Sequence, residues 1–327
     1  MSSIAAPITR SRAARAWIRL VRVHFVPLSL SSGLAGYFAA KESPTFFSVA
    51  LGLSVCLTGY GVGVIINDYA DRRADAINAP DRPLVTGEVN PTVALVVVSG
   101  LSVTVLALGF AFATPVAVWS LLALAGHFVY TATKPIPMVG TVVNGIDIAL
   151  FAMVGAAAGA PDRAWYDMPE PAWIVTGLIA AVIAGFCLVG YFKDIPGDRA
   201  AGYRTLPVAL GPERARRLAP PFPLAALVAA VAIVVASPES LGADGGTVAF
   251  WVLGALAAAG FALSMRELFA TPGPRAYEAL LWYTRSSVAF ILALGGLVRP
   301  LLFLVLAVPM LAFLEASLRE TRGTGQA

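Results

Sequence analysis

The sequence predicts an all-α integral membrane protein, a bundle of about nine transmembrane helices around a central cavity with a cytoplasmic cap. Three observations carry the membrane class. Of the 327 residues, 58% are hydrophobic and only 13% charged, with mean hydropathy +0.78; soluble domains are roughly 45–50% apolar and about 25% charged. The apolar residues come in blocks of about 17–25, the length a helix needs to cross a bilayer. The basic residues gather in alternate connections, as topology signals do. The chain is expected to form one membrane domain over 1–327.

Residues 1–21 make a basic start with Arg10, Arg12, Arg15 and Arg19. No small-residue cleavage site follows a short apolar region, so this is read as an uncleaved start rather than a signal peptide. Spans follow at 22–40, 46–66, 92–112, 115–132, 137–159, 172–192, 217–236 and 247–268. A last apolar tract, 283–316, has Arg299-Pro300 in its middle and exceeds a core of about 30 Å at about 1.5 Å per residue. It is one long kinked helix or two short spans, giving nine or ten in all, with a polar tail at 317–327. If the N-terminus is inside, the opposite connections hold only Lys41 and Arg163 among 23 Lys+Arg residues. The expected location is therefore a cell (plasma) membrane, with the N-terminus and the two acidic motifs described next on the cytoplasmic side. Cys56 and Cys187 lie inside apolar runs, which argues against a disulfide framework or a zinc site. The net charge of +4 comes from loop arginines and implies no nucleic-acid partner.

The chemistry sits at the ends of two spans. Asn67-Asp68-Tyr69-Ala70-Asp71-Arg72-Arg73-Ala74-Asp75 places Asp68, Asp71 and Asp75 at i, i+3 and i+7, one face of a helix. Such a face is either a solvated helix end salted by Arg72 and Arg73 or a metal-holding face. Mg²⁺ suits the second reading, because it binds through one or two carboxylates plus a substrate phosphate. A second cluster, Tyr191-Phe192-Lys193-Asp194-Ile195-Pro196-Gly197-Asp198, closes another span about 120 residues later. Two such clusters suggest two metal-holding faces turned toward one diphosphate. The motif-bearing loops, 67–91 and 193–216, are too polar and long for simple membrane turns. They are expected to form a cap of short helices that keeps water from a reactive carbocation.

Asn67-Asp68-x-x-Asp71-x-x-x-Asp75 with Asn78-Ala79-Pro80-Asp81-Arg82-Pro83-Leu84-x-Thr86-Gly87 resembles the first signature of the UbiA superfamily of intramembrane prenyltransferases. Lys193-Asp194-Ile195-x-Gly197-Asp198-x-x-x-Gly202-Tyr203-x-Thr205-Leu206-Pro207-Val208 is similar to the second, and Tyr130-Thr131-Ala132-Thr133-Lys134 to a Tyr-x-x-x-Lys pair of many members. The resemblance covers roughly 15–300. It implies nine helices around a cavity open to lipid, and a prenyl diphosphate bound through two Mg²⁺ ions. Loss of diphosphate would leave an allylic cation for a hydrophobic acceptor, aromatic or lipid, to attack. Carried over, Asn67, Asp68, Asp71 and Asp75 match the first metal motif, and Asp194 and Asp198 the second. Arg82, Tyr130, Lys134 and Lys193 are expected near the diphosphate, and Tyr191 and Arg204 join the substrate-binding set. The second motif departs from the pattern: it has two acids at i and i+4, where many members have three over a longer stretch.

Asp147 stands mid-span beside Asn144. An acid at that depth usually faces a bundle interior or a wet cavity. Asn144 and Asp147 either line the acceptor side, with Asp147 orienting the acceptor or taking its proton, or make an interhelical hydrogen bond. Phe186, Phe192, Phe151, Tyr60 and Phe128 are candidate walls for a cation. Gly61 and Gly63 are read as packing residues rather than a nucleotide fingerprint, and His24 as an interfacial residue. The expected activity is Mg²⁺-dependent transfer of a prenyl group to a hydrophobic acceptor within the membrane. The alternative is a terpene cyclase of the same scaffold with no second substrate. A transporter would need intramembrane charges on several spans, and only Asp147 stands out.

Overall fold

The computed structural model describes residues 10–40, 44–241, 247–270 and 275–323. Among them every regular element is helical. The order is α1 (Arg10–Val21), a 3₁₀ turn at Val23–Phe25, α2 (Val26–Ala40), α3 (Phe46–Asn78), α4 (Pro83–Thr86), α5 (Pro91–Phe112), α6 (Thr114–Thr133), α7 (Val139–Gly159) and α8 (Glu170–Tyr191). Short helices α9 (Ile195–Ala200), α10 (Leu206–Leu210) and α11 (Pro212–Ala215) lead into α12 (Pro221–Ala236), α13 (Val248–Ala270), α14 (Arg275–Val298) and α15 (Pro300–Gly323). Nine helices among the described residues are long and apolar enough to cross a membrane.

Local sequence sets the helix boundaries. Thr45 caps α3 by accepting from the Ser48 N–H at 3.2 Å. Asn90 caps α5 by accepting from the Thr92 and Val93 N–H groups, with Pro91 in the first turn, where its missing N–H costs nothing. The tract expected at 283–316 is two helices, α14 and α15, separated at Arg299-Pro300, and α14 begins earlier, at Arg275. Residues 317–323, expected as polar tail, continue α15.

The first expected span, 22–40, is also corrected. It breaks at Arg22 and the 3₁₀ turn, leaving a 15-residue α2 of about 22 Å, short of a bilayer core. α2 is nonetheless buried along most of its length. A Cβ at Gly36 would collide with the Ala152 backbone of α7, one at Gly155 with the Gly33 backbone of α2, and one at Gly33 with the Cys56 sulfur of α3. Without a hydrophobic drive between apolar helices in lipid, such small-residue crossings let dispersion hold the bundle together. α14 is the most enclosed of the long helices, with Tyr283, Phe290 and Leu281 fully buried.

The motif regions differ from their expected form. α3 runs unbroken to Asn78, so Asp68, Asp71 and Asp75 share one long helix, as their spacing predicts, and this helix takes up the first part of the expected 67–91 cap segment. Only 79–90 leaves it, carrying α4. Short helices α9, α10 and α11 occupy the second motif region and its sequel.

Candidate active site

Asp68, Asp71 and Asp75 are all buried, at 2%, 3% and 4% exposure. Arg73 faces out, and Arg72 stacks over Tyr69 at 3.9 Å. The solvated, arginine-salted helix end is therefore ruled out. The counter-charges come from elsewhere in the chain. Arg22 pairs with Asp68, and the Ala79–Arg82 turn brings Arg82 back onto Asp75 and, at 3.2 Å, onto Asp68. Lys134, at the end of α6, donates to Asp71 at 2.5 Å, and Lys193 donates to Asp194 at 2.7 Å.

One side chain joins the two motifs. Asn78 Nδ2 donates to the Asp194 carbonyl at 3.0 Å, and Asn78 Oδ1 accepts from the Gly197 N–H at 2.7 Å. Gly197 presses against the Ala74 carbonyl and Asn78, leaving no room for a Cβ. This contact sets α9 against α3. Asp198 is then fully buried, accepting from Thr205 Oγ1 at 3.0 Å, while its Oδ1 has no partner among the described residues.

A cavity opens between these groups and runs into the bundle. Its charged end is lined by Arg22, Asn67, Asp71, Asp75, Arg82, Lys134, Lys193 and Asp194, with Tyr130 and Tyr191 beside them. Further in come Phe25, Leu28, Tyr60, Ile148, Ile183, Phe186 and Leu280, and then Gly63, His127, Asn144 and Asp147. Most expected site residues thus share one space. Asp68 and Asp198 stand behind the lining, held by Arg22 and Thr205. Arg204 is exposed and outside the cavity: its backbone N–H is anchored on the Pro135 carbonyl, and the turn sends its side chain away. Among the expected walls, Tyr60 and Phe186 line the cavity. Phe151 packs on the His127 ring instead, Phe192 is buried outside the lining, and Phe128 is 56% exposed.

The electrostatics follow from burial and pairing. Burial alone would raise the Asp194 carboxyl, but Lys193, Lys134 and Arg82 outweigh it and hold it below the usual carboxylate range. Burial pushes Asp198 up to about 6, against the pull of Lys134. Burial disfavours the Lys134 ammonium, yet Asp71, Tyr130, Asp198 and Asp194 together raise it. Burial and then Arg82 lower Arg22 to about 10, leaving it charged at neutral pH.

The donor set fits Mg²⁺, an all-oxygen cation: carboxylates and one Asn amide, with an orphaned buried oxygen on Asp198. No three Asp, Glu, His or Cys side chains among the described residues form a ready metal cluster. Asp68, Asp71, Asp75 and Asp194 are each paired with a basic side chain, and Asp198 with Thr205.

Two residues of the site were not read from the sequence. Arg22 stood at the start of the expected span 22–40 and was given no role. Its left-handed backbone (φ 50°, ψ 59°) turns its side chain inward, and Tyr60 Oη donates to its carbonyl at 2.8 Å and to that of Val21 at 2.9 Å. Asn78 was read only as a motif letter.

The model of the UbiA prenyltransferase family matches residues 29–284. Digeranylgeranylglyceryl phosphate synthase of Natronomonas pharaonis is 34% identical over 200 residues, 60% of this chain and 67% of that protein. The protein of the same name from Thermococcus kodakarensis is 30% identical over 223 residues, covering 66% and 76%. The apo structure of a UbiA homolog from Aeropyrum pernix K1 superposes with a TM-score of 0.68 at 24% identity, over 85% of this chain and 98% of that one. A UbiA homolog from Archaeoglobus fulgidus bound to GPP and Mg²⁺ gives 0.65 at 19% identity, over 86% and 99%. These two show the fold that the chain shares.

Proposed function

The chain belongs to the UbiA prenyltransferase family, and from that premise we propose that it transfers a prenyl group from a prenyl diphosphate to a hydroxyl-bearing hydrophobic acceptor of the glyceryl phosphate lipid type. The observation that carries the donor half is the single cavity end where two carboxylate motifs and four basic side chains converge. The acceptor class rests on the relatives' names.

Asn67, Asp68, Asp71 and Asp75 from α3, with Asp194 and Asp198 from the second motif, would hold Mg²⁺. The ion supplies a positive field for the charge that builds on the departing diphosphate. Arg22, Arg82, Lys134 and Lys193 act on the same charge. Each now neutralises a carboxylate and would turn to diphosphate oxygens, where its pull is strongest as the carbon–oxygen bond breaks. Phe25, Tyr60 and Phe186 face the allylic carbon's path with apolar surface and π faces, which stabilise a cation without capturing it. The short helices behind both motifs would cap this end and exclude water.

The test uses purified protein, Mg²⁺ and prenyl diphosphates of ten to twenty carbons, with and without geranylgeranylglyceryl phosphate. Acceptor-dependent diphosphate release and an ether product support the reading. A cyclic product formed without acceptor replaces it with a terpene cyclase, and no release with any donor refutes it.

A further inference from the structure

Below the charged end, the cavity passes a pair of ionisable groups that diphosphate departure does not use. His127 on α6 and Asp147 on α7 are 4% and 2% exposed. Their Nδ1 and Oδ2 atoms lie 2.7 Å apart, and His127 Nε2 lies 3.2 Å from the Gly59 carbonyl of α3. Both ring nitrogens therefore face acceptors. Only an imidazolium donates to both, so the pair reads as a buried cation and carboxylate.

The arrangement leaves one atom over. Asp147 Oδ1 is buried with no partner among the described residues, and Ser29 Oγ, also lining the cavity, is in the same condition. Buried oxygens in that state are costly unless something in the cavity bonds to them. The pair packs directly against two glycines, leaving no room for a side chain at either. A Cβ at Gly126 would stand 2.5 Å from Asp147 Oδ1, and one at Gly63 would stand 2.6 Å from the His127 ring. Gly63 is one turn, about 6 Å, below Asn67 on α3. The pair thus lies where the first carbons of a prenyl diphosphate held at the charged end would meet an acceptor.

We propose that Asp147 is a catalytic base for the acceptor hydroxyl and that His127 is its positioning residue, with Ser29 offering a second polar contact to the acceptor. The inference rests on the transferase reading above. In the step, the C1–oxygen bond of the donor breaks and its electron pair leaves with diphosphate. An acceptor oxygen lone pair forms the new carbon–oxygen bond, and the hydroxyl proton passes to Asp147 Oδ1. It then goes to water as product leaves. His127, already donating from both nitrogens, cannot take that proton; it holds Asp147 Oδ2 and so fixes which carboxylate oxygen is left without a partner.

The experiment measures partition rather than rate alone. Wild type, Asp147→Asn and Gly126→Ala are each given geranylgeranyl diphosphate, Mg²⁺ and geranylgeranylglyceryl phosphate. Diphosphate release, ether product and prenyl alcohol are then quantified. Asp147→Asn is expected to lower diphosphate release together with ether formation, with more of the released prenyl group captured by water. Its ratio of ether to prenyl alcohol should fall about a hundredfold, the scale of a lost general base. Gly126→Ala, which crowds Oδ1 and leaves both residues in place, is expected to shift the ratio the same way, and Asp147→Glu to restore part of it. An unchanged ratio in both variants alongside wild-type transfer overturns the base and leaves the transferase reading standing. A wild type that releases no diphosphate, or cyclises its donor, sinks the transferase reading and the base with it.

Discussion

The Asn78 side chain accepts the Gly197 N–H at 2.7 Å while donating to the Asp194 carbonyl at 3.0 Å. The two acidic motifs, 116 residues apart along this contact, are thereby clamped by one amide. Asn78→Ala leaves the Gly197 N–H without its partner, at about 1–3 kcal/mol, while the Asp194 carbonyl keeps the Asp198 N–H at 2.9 Å. The substitution should let α9 drift from α3 and lower kcat/KM for diphosphate release at least tenfold. Asn78→Asp keeps the acceptor and loses the donor, so it should fall between. Wild-type kinetics in Asn78→Ala would show that the motifs need no tie.

The carboxylates themselves should be indispensable to turnover but not to assembly. Asp68→Ala and Asp194→Ala are expected to abolish diphosphate release while the protein still inserts and stays helical by circular dichroism. Asp71→Asn differs, because it leaves the buried Lys134 ammonium without its 2.5 Å partner. Losing one side of a buried pair costs about 3–5 kcal/mol, so this variant should also show a clearly lowered Tm. Retained activity in Asp68→Ala and Asp194→Ala would remove both motifs from the mechanism.

Arg22 combines a strained backbone with a useful charge. A left-handed conformation is costly for a non-glycine residue, and here the two Tyr60 hydrogen bonds hold it. Arg22→Gly relieves the backbone and removes the charge. It should lower Tm, because buried Asp68 loses its Arg22 partner and this outweighs the backbone relief, and should weaken prenyl diphosphate binding about tenfold. Tyr60→Phe keeps the charge but loosens the turn, so it should weaken donor binding less. Donor titration with each variant checks the order.

His24 sets a pH limit on stability. Burial, with Arg22 and Lys193 nearby, pushes its imidazole down to about 3, against about 6.5 in an unfolded chain. Between those values the unfolded state binds the extra proton, so stability is full above about 6.5 and falls as pH drops toward 3. Tm in detergent should decline from pH 7.5 to 5, and His24→Gln should flatten that decline. An equally steep slope in His24→Gln would place the sensitivity elsewhere.

Removing divalent metal offers a simpler check on the site's chemistry. Excess EDTA should stop diphosphate release, and added Mg²⁺ should restore it; release undiminished in EDTA would leave the carboxylates without a metal to hold.

Much of this was legible in the residues. Block lengths near 20 gave nearly every span within a few positions, because crossing a bilayer demands unbroken apolar length. The i, i+3, i+7 spacing gave the buried acidic face, because helix geometry is local. The first span misled because Arg22 and the turn after it interrupt a run that composition alone reads as continuous. Arg204 and Phe128 misled because position beside a motif or span does not say which way a side chain points.

The sequence by itself determined the membrane class, the two acidic motifs and the family they belong to. Only the tertiary structure decided which cation faces which carboxylate, that Arg22 turns inward, that Asn78 ties the motifs together and that His127 meets Asp147. The reason is the solvent. A helix in water shows its inner face by its apolar stripe, whereas a helix among lipids is apolar on every side, so its rotation is fixed only by the small-residue contacts its neighbours permit.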